Sequence, residues 1–309
     1  MRAAAEERGV VGGGRATLWM VSMPWLFVLI WSTGFIVAKY GMPHAEPMTF
    51  LFLRFVGVLV LMVPFVVVAR VPLPQHKEGA ATRTDWRMVW HIAVAGLFLQ
   101  AGYLGGIWAA VKLGMPAGVS ALIAGMQPIL TALVMARLGE RVTGRQWLGL
   151  LLGIGGVGLV VANKLSASGL SPASLLLASG ALLSITIGTI YQKRFCPVFD
   201  LRMGSVIQFA AAALACVPFM FLFETRQVQW TPEMIGALAW SVVALSIGAI
   251  SLLFLLIRRG AATRVSSLMY LTPPTTAVMA WLLFGERFPP LAALGMGLAA
   301  AGVALVIRR

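Results

Sequence analysis

Long apolar runs, each ended after about twenty residues by a polar or charged cluster, dominate the pattern of this chain. A helix crossing the roughly 30 Å hydrocarbon core needs about 20 predominantly apolar residues. Runs of that order occur at approximately 20–40, 47–69, 87–111, 115–137, 145–163, 173–193, 203–223, 234–257, 261–284 and 290–307. Each predicts a spanning helix, because a helix satisfies all its backbone polar groups within one segment in lipid. The connections are short, and the longest, Arg70 to Arg87, is polar with Pro72 and Pro74. The pattern predicts an all-α polytopic membrane protein with ten transmembrane helices, preceded by a cytoplasmic N-terminal tail, residues 1–19.

The pattern also repeats. Gly114 to Arg141 and Gly260 to Arg287 align without a gap, so that Gly114 and Gly260, Pro128 and Pro274, and Glu140 and Glu286 are each 146 apart. Further back, Gly34 and Gly188, Lys39 and Lys193, Phe55 and Phe209, and Pro64 and Pro218 are each 154 apart. Two units follow, 20–163 and 173–307, of five spans each. An odd number of spans inserts the second unit upside down, giving two inverted five-helix repeats. Such repeats about an axis in the membrane plane are the signature of secondary transporters, whose halves exchange roles to open one site to either side.

Composition agrees with a bilayer protein: 60% of residues are hydrophobic, 11% are charged, and the mean hydropathy is +0.90. The net charge of +14 does not point to nucleic acid, because the basic residues stand singly or in pairs between apolar runs. Counted on alternate sides, 18 Lys and Arg fall on the side of the termini and 6 on the other. By the positive-inside rule both termini are cytoplasmic. Cys196 and Cys216 form no disulfide framework or metal motif. No cofactor or metal is called for.

Candidate site residues come from polar positions on shared helix faces. Ser120, Gln127 and Thr131 lie on one face of span four, and Tyr270 and Thr272 lie in the copy, span nine. Pro128, Pro273 and Pro274 are candidate helix breaks at matching places in the two units. Paired broken helices point to a midplane site, although a packing kink uses the same residue. Trp31 and Ser32 in span one, Thr186 in span six, and Gln100, Tyr103 and Trp108 in span three complete the candidate cavity. Its aromatic content suits an amphipathic or aromatic solute. Interfacial anchoring is the other use of such Trp and Tyr residues. All ten acids fall in the tail, in loops or at span ends, which leaves no mid-membrane carboxylate as a proton relay. Lys39, Arg54 and Glu286 at the outer ends, and Lys193 and Glu140 at the inner ends, are candidate gating pairs. Gly149, Gly153 and Gly156 of span five match Gly295, Ala299 and Gly302 of span ten. These small faces suit packing within a monomer or across a homodimer.

Trp31-Ser32 with Gly34-Phe35, Lys39, Arg54-Phe55, and the two units ending Gly139-Glu140-Arg141 and Gly285-Glu286-Arg287 resemble the drug/metabolite transporter superfamily, specifically the EamA-type permeases. The resemblance covers about residues 20 to 307. It implies ten helices in the inner cell membrane, a central cavity, and export of amino acids, metabolites or drugs. The sequence departs from an even repeat: Ile185 stands opposite Trp31, and Gln208 opposite Arg54. The reading is a secondary transporter of a small organic solute that works by alternating access, with the solute and the lipid bilayer as its partners. A non-transporting scaffold or receptor is the alternative. An intramembrane enzyme would need a catalytic acid, base or nucleophile at depth, and no phosphate-loop motif supports an ATP-driven pump.

Overall fold

The computed structural model describes residues 3–78, 81–137, 143–168, 170–258, 271–286 and 289–307. Its helices follow the apolar runs. They are α1 (Ala3–Gly41), α2 (Pro47–Val68), α3 (Trp86–Gly96), α4 (Ala117–Ala124), α5 (Gln127–Arg137), α6 (Gly144–Ser168), α7 (Pro172–Phe195), α8 (Leu201–Phe223), α9 (Pro232–Trp240), α10 (Thr272–Phe284) and α11 (Pro290–Ile307). Helix α3 continues through a π-helical stretch, Leu97–Gly102, into Tyr103–Lys112. Helix α9 continues in the same way through Ser241–Ala249 into Ile250–Arg258. Eight segments among the described residues have the length and apolarity to cross a membrane, and Pro290–Leu305 is a shorter apolar helix. The first part of the expected ninth span lies outside the described residues; α10 is its remainder.

Local sequence explains the helix starts. Proline opens α2, α7 and α9, where its missing N–H costs nothing. Asp85, Ser171, Asp200 and Thr231 accept from backbone N–H groups at the starts of α3, α7, α8 and α9. Two features differ from the sequence expectation. The expected tail is helical from Ala3, as its Ala, Glu and Arg content allows. The polar Arg70–Arg87 connection holds an antiparallel hairpin, β1 (Gln75–Glu78) and β2 (Ala81–Thr84), with Gln75 opposite Thr84.

The packing keeps its pattern when the two halves are exchanged. Helix α2 packs on α8, α4 on α10, and α6 on α11, each against its own counterpart. The third span packs on α7 and α8, and the eighth on α1 and α2. At the α2–α8 crossing, Glu224 accepts from Met48 N at 2.7 Å and Thr49 N at 2.8 Å. This places a carboxylate on the exposed donors that open α2. Glu46 in turn accepts from the backbone and hydroxyl of Thr225.

Small residues bring α6 and α11 together within the chain. A Cβ at Gly156 would lie 2.5 Å from the Gly295 carbonyl oxygen, and one at Gly302 would lie 2.5 Å from that of Gly149. These faces are therefore occupied inside the protomer. We expect Gly156→Ala to separate the helices and lower stability by about 1–3 kcal/mol, as overpacking does. Gly158→Ala is the control, since no atom of the described residues lies within 4 Å of its added carbon. Thermal unfolding of the purified variants in detergent checks the pair.

Candidate functional site

The exchanged packing leaves a cavity of about 340 Å³ between α1, the third span, α7 and α8. Trp31 and Phe35 of α1 face it from one side, and Gln100 and Tyr103 from the third span. Thr189 and Gln192 of α7 and Ser205 and Gln208 of α8 form its polar far wall. Arg54 of α2 and Gln127 of α5 reach in from neighbouring helices. The cavity runs to the α7–α8 connection, where Phe199 and Leu201 line it. At the other end Trp108 is 1% exposed and packs on Phe50, with ring centroids 4.4 Å apart.

The two π-helical stretches shape this space. A π turn widens the helix by one residue and weakens its carbonyl pairing, and such turns recur at functional sites. The first carries Leu99 and Gln100 on the cavity wall, and the second carries Leu245. A serine hydroxyl serves a carbonyl in each stretch. Ser184 of α7 donates to Phe98 O at 2.8 Å, and Ser246 donates to Ser241 O at 2.9 Å. Ser246 also accepts from Arg54 Nε at 3.1 Å. The second stretch thereby holds the guanidinium, which is 6% exposed, at the cavity.

The polar wall is paired. Gln127 Nε2 donates to Thr189 Oγ1 at 2.8 Å, and Gln208 Nε2 donates to Gln192 Oε1 at 2.8 Å. A smaller space of about 70 Å³ adjoins the cavity, lined by Gly125, Gln127, Pro128 and Thr272, with Trp31 and Tyr103 between the two. Here the interrupted span four meets the start of α10: a Cβ at Gly125 would lie 2.9 Å from Pro273 Cγ. The interruption falls at Gly125–Met126, just before Pro128, so proline starts the second segment. Pro273 and Pro274 likewise stand in the first turn of α10. Buried Thr272 Oγ1 has no hydrogen-bond partner among the described residues.

Of the sequence-derived candidates, Trp31, Gln100, Tyr103, Trp108 and Gln127 line the cavity, and Thr272 and Pro128 line the smaller space. Ser32, Ser120 and Thr186 do not line it. Ser32 is buried, and its carbonyl accepts from Thr276 Oγ1 at 3.3 Å. The hydroxyls of Ser120 and Thr186 donate back to Pro116 O and Leu182 O of the preceding turn. Both sit on faces turned into helix contacts. Tyr270 and Glu140 lie outside the described residues. Thr189 shares a face of span six with Thr186 and Lys193 in the sequence, whereas Gln192, Ser205 and Gln208 are absent from the sequence-derived set. Gln208 had a usable signal: it occupies the Arg54 position of the second unit.

The charged ends differ from each other. Lys39 and Glu286 form an ion pair, and Glu286 also accepts from Ala117 N, the first residue of α4, at 3.2 Å. The Gly285 turn makes this possible. Gly285 adopts a left-handed conformation (φ 64°), and Glu286 N returns to Ala280 O at 3.3 Å, which turns the carboxylate back over the helix end. Lys39 lies 4.6 Å over the Phe284 ring. Arg54 does not join this cluster, because its hydrogen bond to Ser246 ties it to the cavity. At the opposite end Lys193 is exposed, and Arg202 pairs with Asp200 at 2.8 Å. Hydrogen bonds from Arg202 hold the Asp200 carboxyl below its ordinary range.

Comparison with known proteins finds the same architecture elsewhere. The model of the EamA-like transporter family matches this chain twice, over residues 18–162 and 172–308. The uncharacterized inner membrane transporter YedA of Escherichia coli K12 is 24% identical, aligned over 90% of this chain and 87% of its own length. A protein of the same organism named "Probable amino-acid metabolite efflux pump" is 24% identical over 90% of this chain and 91% of its own. The uncharacterized transporter YvbV of Bacillus subtilis is 25% identical over 90% and 88%. One solved crystal structure superposes with a TM-score of 0.62 over 92% of this chain and 95% of that one, at 18% identity, which shows a shared fold.

Proposed function

Since this chain belongs to the EamA-like transporter family and is a multi-pass membrane transporter, we propose that it moves a small organic solute by alternating access, in the export direction. The two units, 20–163 and 173–307, act as inverted five-helix repeats, with both termini in the cytoplasm. The observation that carries this reading is the cavity itself. It is lined by aromatic and amide side chains and runs to the α7–α8 connection, while Lys39 and Glu286 are paired at the other end. A cavity of this size suits a small amphipathic molecule, with Trp31 and Tyr103 against its apolar part and Gln100 and Gln127 toward its polar groups. The Lys39 end is the outer face in this orientation, and on this reading the conformation is an inward-facing one. Lys39 and Glu286 serve as the outer gate, and Lys193 with Glu140 as the inner one. Export agrees with the name given to the efflux-pump relative.

A solute screen in reconstituted liposomes, with and without a pH gradient, tests the reading. The expected result is protein-dependent flux of one solute class, reduced in Gln127→Ala, which loses the amide facing the cavity and its bond to Thr189. Flux no greater than that of empty liposomes for every solute would favour a scaffold.

A further inference from the structure

The cavity lining contains one formally charged side chain among the described residues, Arg54. Its position is costly. The residue is 6% exposed and stands in the third turn of a membrane-spanning helix, where a guanidinium demands a partner. The fold supplies a neutral one: Nε donates to Ser246 Oγ. None of the described carboxylates lines the cavity, and five of them have partners elsewhere. Glu224 holds the start of α2, Glu46 holds Thr225, Glu286 pairs with Lys39, Asp85 caps α3 and Asp200 pairs with Arg202. Arg54 thus lines a cavity with no counter-charge among the described residues. Holding Nε on Ser246 leaves the guanidinium fixed in orientation, which is what bidentate capture of a planar anion needs.

We propose that Arg54 is the solute-anchoring residue of this cavity and that the solute carries a carboxylate, with an aromatic or branched apolar body lying against Trp31 and Tyr103. This rests on the transport reading and adds the substrate class to it. The charge balance selects further. A single guanidinium neutralises a single negative charge, so a phosphate dianion leaves one charge uncompensated at depth. A cation meets like charge and, among the described residues, no carboxylate. The second unit offers no duplicate, because Gln208 occupies the matching position and is bonded to Gln192. The anionic end of the solute therefore lies toward α2 and α9 and its body toward α1 and the third span.

The test is equilibrium binding by titration calorimetry on the full chain in lipid nanodiscs, using phenylacetate, its neutral isostere phenylacetamide and the cation phenethylamine. The expected result is phenylacetate binding roughly tenfold or more tighter than phenylacetamide, the scale of a charge-assisted bidentate contact, with no measurable binding of phenethylamine. Arg54→Gln, which places in the first unit the residue the second already has, should bring phenylacetate down to the level of phenylacetamide. Arg54→Lys should retain part of the difference, as should Ser246→Ala, which keeps the charge and loses only its orientation. Equal affinity for acid and amide in the unsubstituted protein would overturn the proposal. So would a preference that survives Arg54→Gln, or displacement of phenylacetate by chloride at equal concentration. The two readings fail separately. Phenylacetate that binds through Arg54 but never crosses a liposome membrane contradicts transport and leaves the anchor standing. Solute flux confined to neutral or cationic compounds contradicts the anchor and leaves transport standing.

Discussion

Gly34→Trp should reduce solute flux to the background of protein-free liposomes while the protein remains folded. Gly34 stands on α1 where that helix faces the cavity. Among the described residues an added Cβ there meets Leu245 methyl groups, at 3.8 and 3.9 Å, an ordinary packing distance. The first carbon is therefore tolerated, and the helix gains propensity on losing a glycine. The rest of an indole is expected to fill the cavity that Gly34 and Leu245 both line, the space the solute is proposed to occupy. The contrast with Gly156 makes the result interpretable. There an added carbon meets backbone, and the expected loss is stability; at Gly34 the expected loss is transport, with the unfolding temperature unchanged. Flux assays beside thermal unfolding on the same preparation separate the two. Undiminished flux in Gly34→Trp would remove this cavity from the solute path.

The second large effect is expected at the outer gate. Glu286→Gln removes the charge paired with Lys39 and weakens the contact with Ala117 N. Hydrogen bonds between charged groups contribute about 1.5–3 kcal/mol. Lys39 is about one-third exposed (33%), so the lower part of that range applies. Losing it from only the inward-facing state shifts the ratio of the two facings by roughly tenfold. A single reporter, Gln100→Cys in a background lacking Cys196 and Cys216, reads the shift through membrane-impermeant thiol reagents. Labelling from the Lys39 face should rise in Glu286→Gln, and labelling from the Lys193 face should fall. Unchanged labelling from both faces would mean that the pair fastens a helix end and has no part in access.

Much of this architecture was legible in the chain because membrane helices write their length and composition directly into sequence. The run at 47–69 became Pro47–Val68, and that at 173–193 became Pro172–Phe195. Counterparts related by the offsets of 154 and 146 meet in the fold, α2 on α8 and α6 on α11. The site was legible only in part. Aromatic and amide positions on α1 and the third span mark themselves by rarity in apolar runs, and Trp31, Gln100, Tyr103 and Gln127 fell in the cavity. Hydroxyl residues do not, because Ser and Thr in membrane helices commonly satisfy themselves on the preceding turn. Ser120 and Thr186 do so, whereas Thr189 combines that bond with one from Gln127. The π-helical stretches left no trace in sequence: Leu97–Gly102 and Ser241–Ala249 are apolar segments whose extra residue per turn is set by packing partners. Arg54 shows the same limit. Counted from the start of α2 it belongs with the end charges, but in the fold it lines the cavity and donates to Ser246 of the second π stretch.

The central claim is that this chain carries solute by exchanging access to one cavity between two faces. Counterflow tests it most directly. Liposomes containing the protein are loaded with unlabelled solute, taken from whichever class gives flux in the screen, and diluted into a trace of the labelled form. Alternating access predicts that internal solute accelerates entry of the label, giving transient accumulation above equilibrium that Gly34→Trp abolishes. Entry of label at a rate indifferent to internal solute, or indifferent to the presence of the protein, would contradict it.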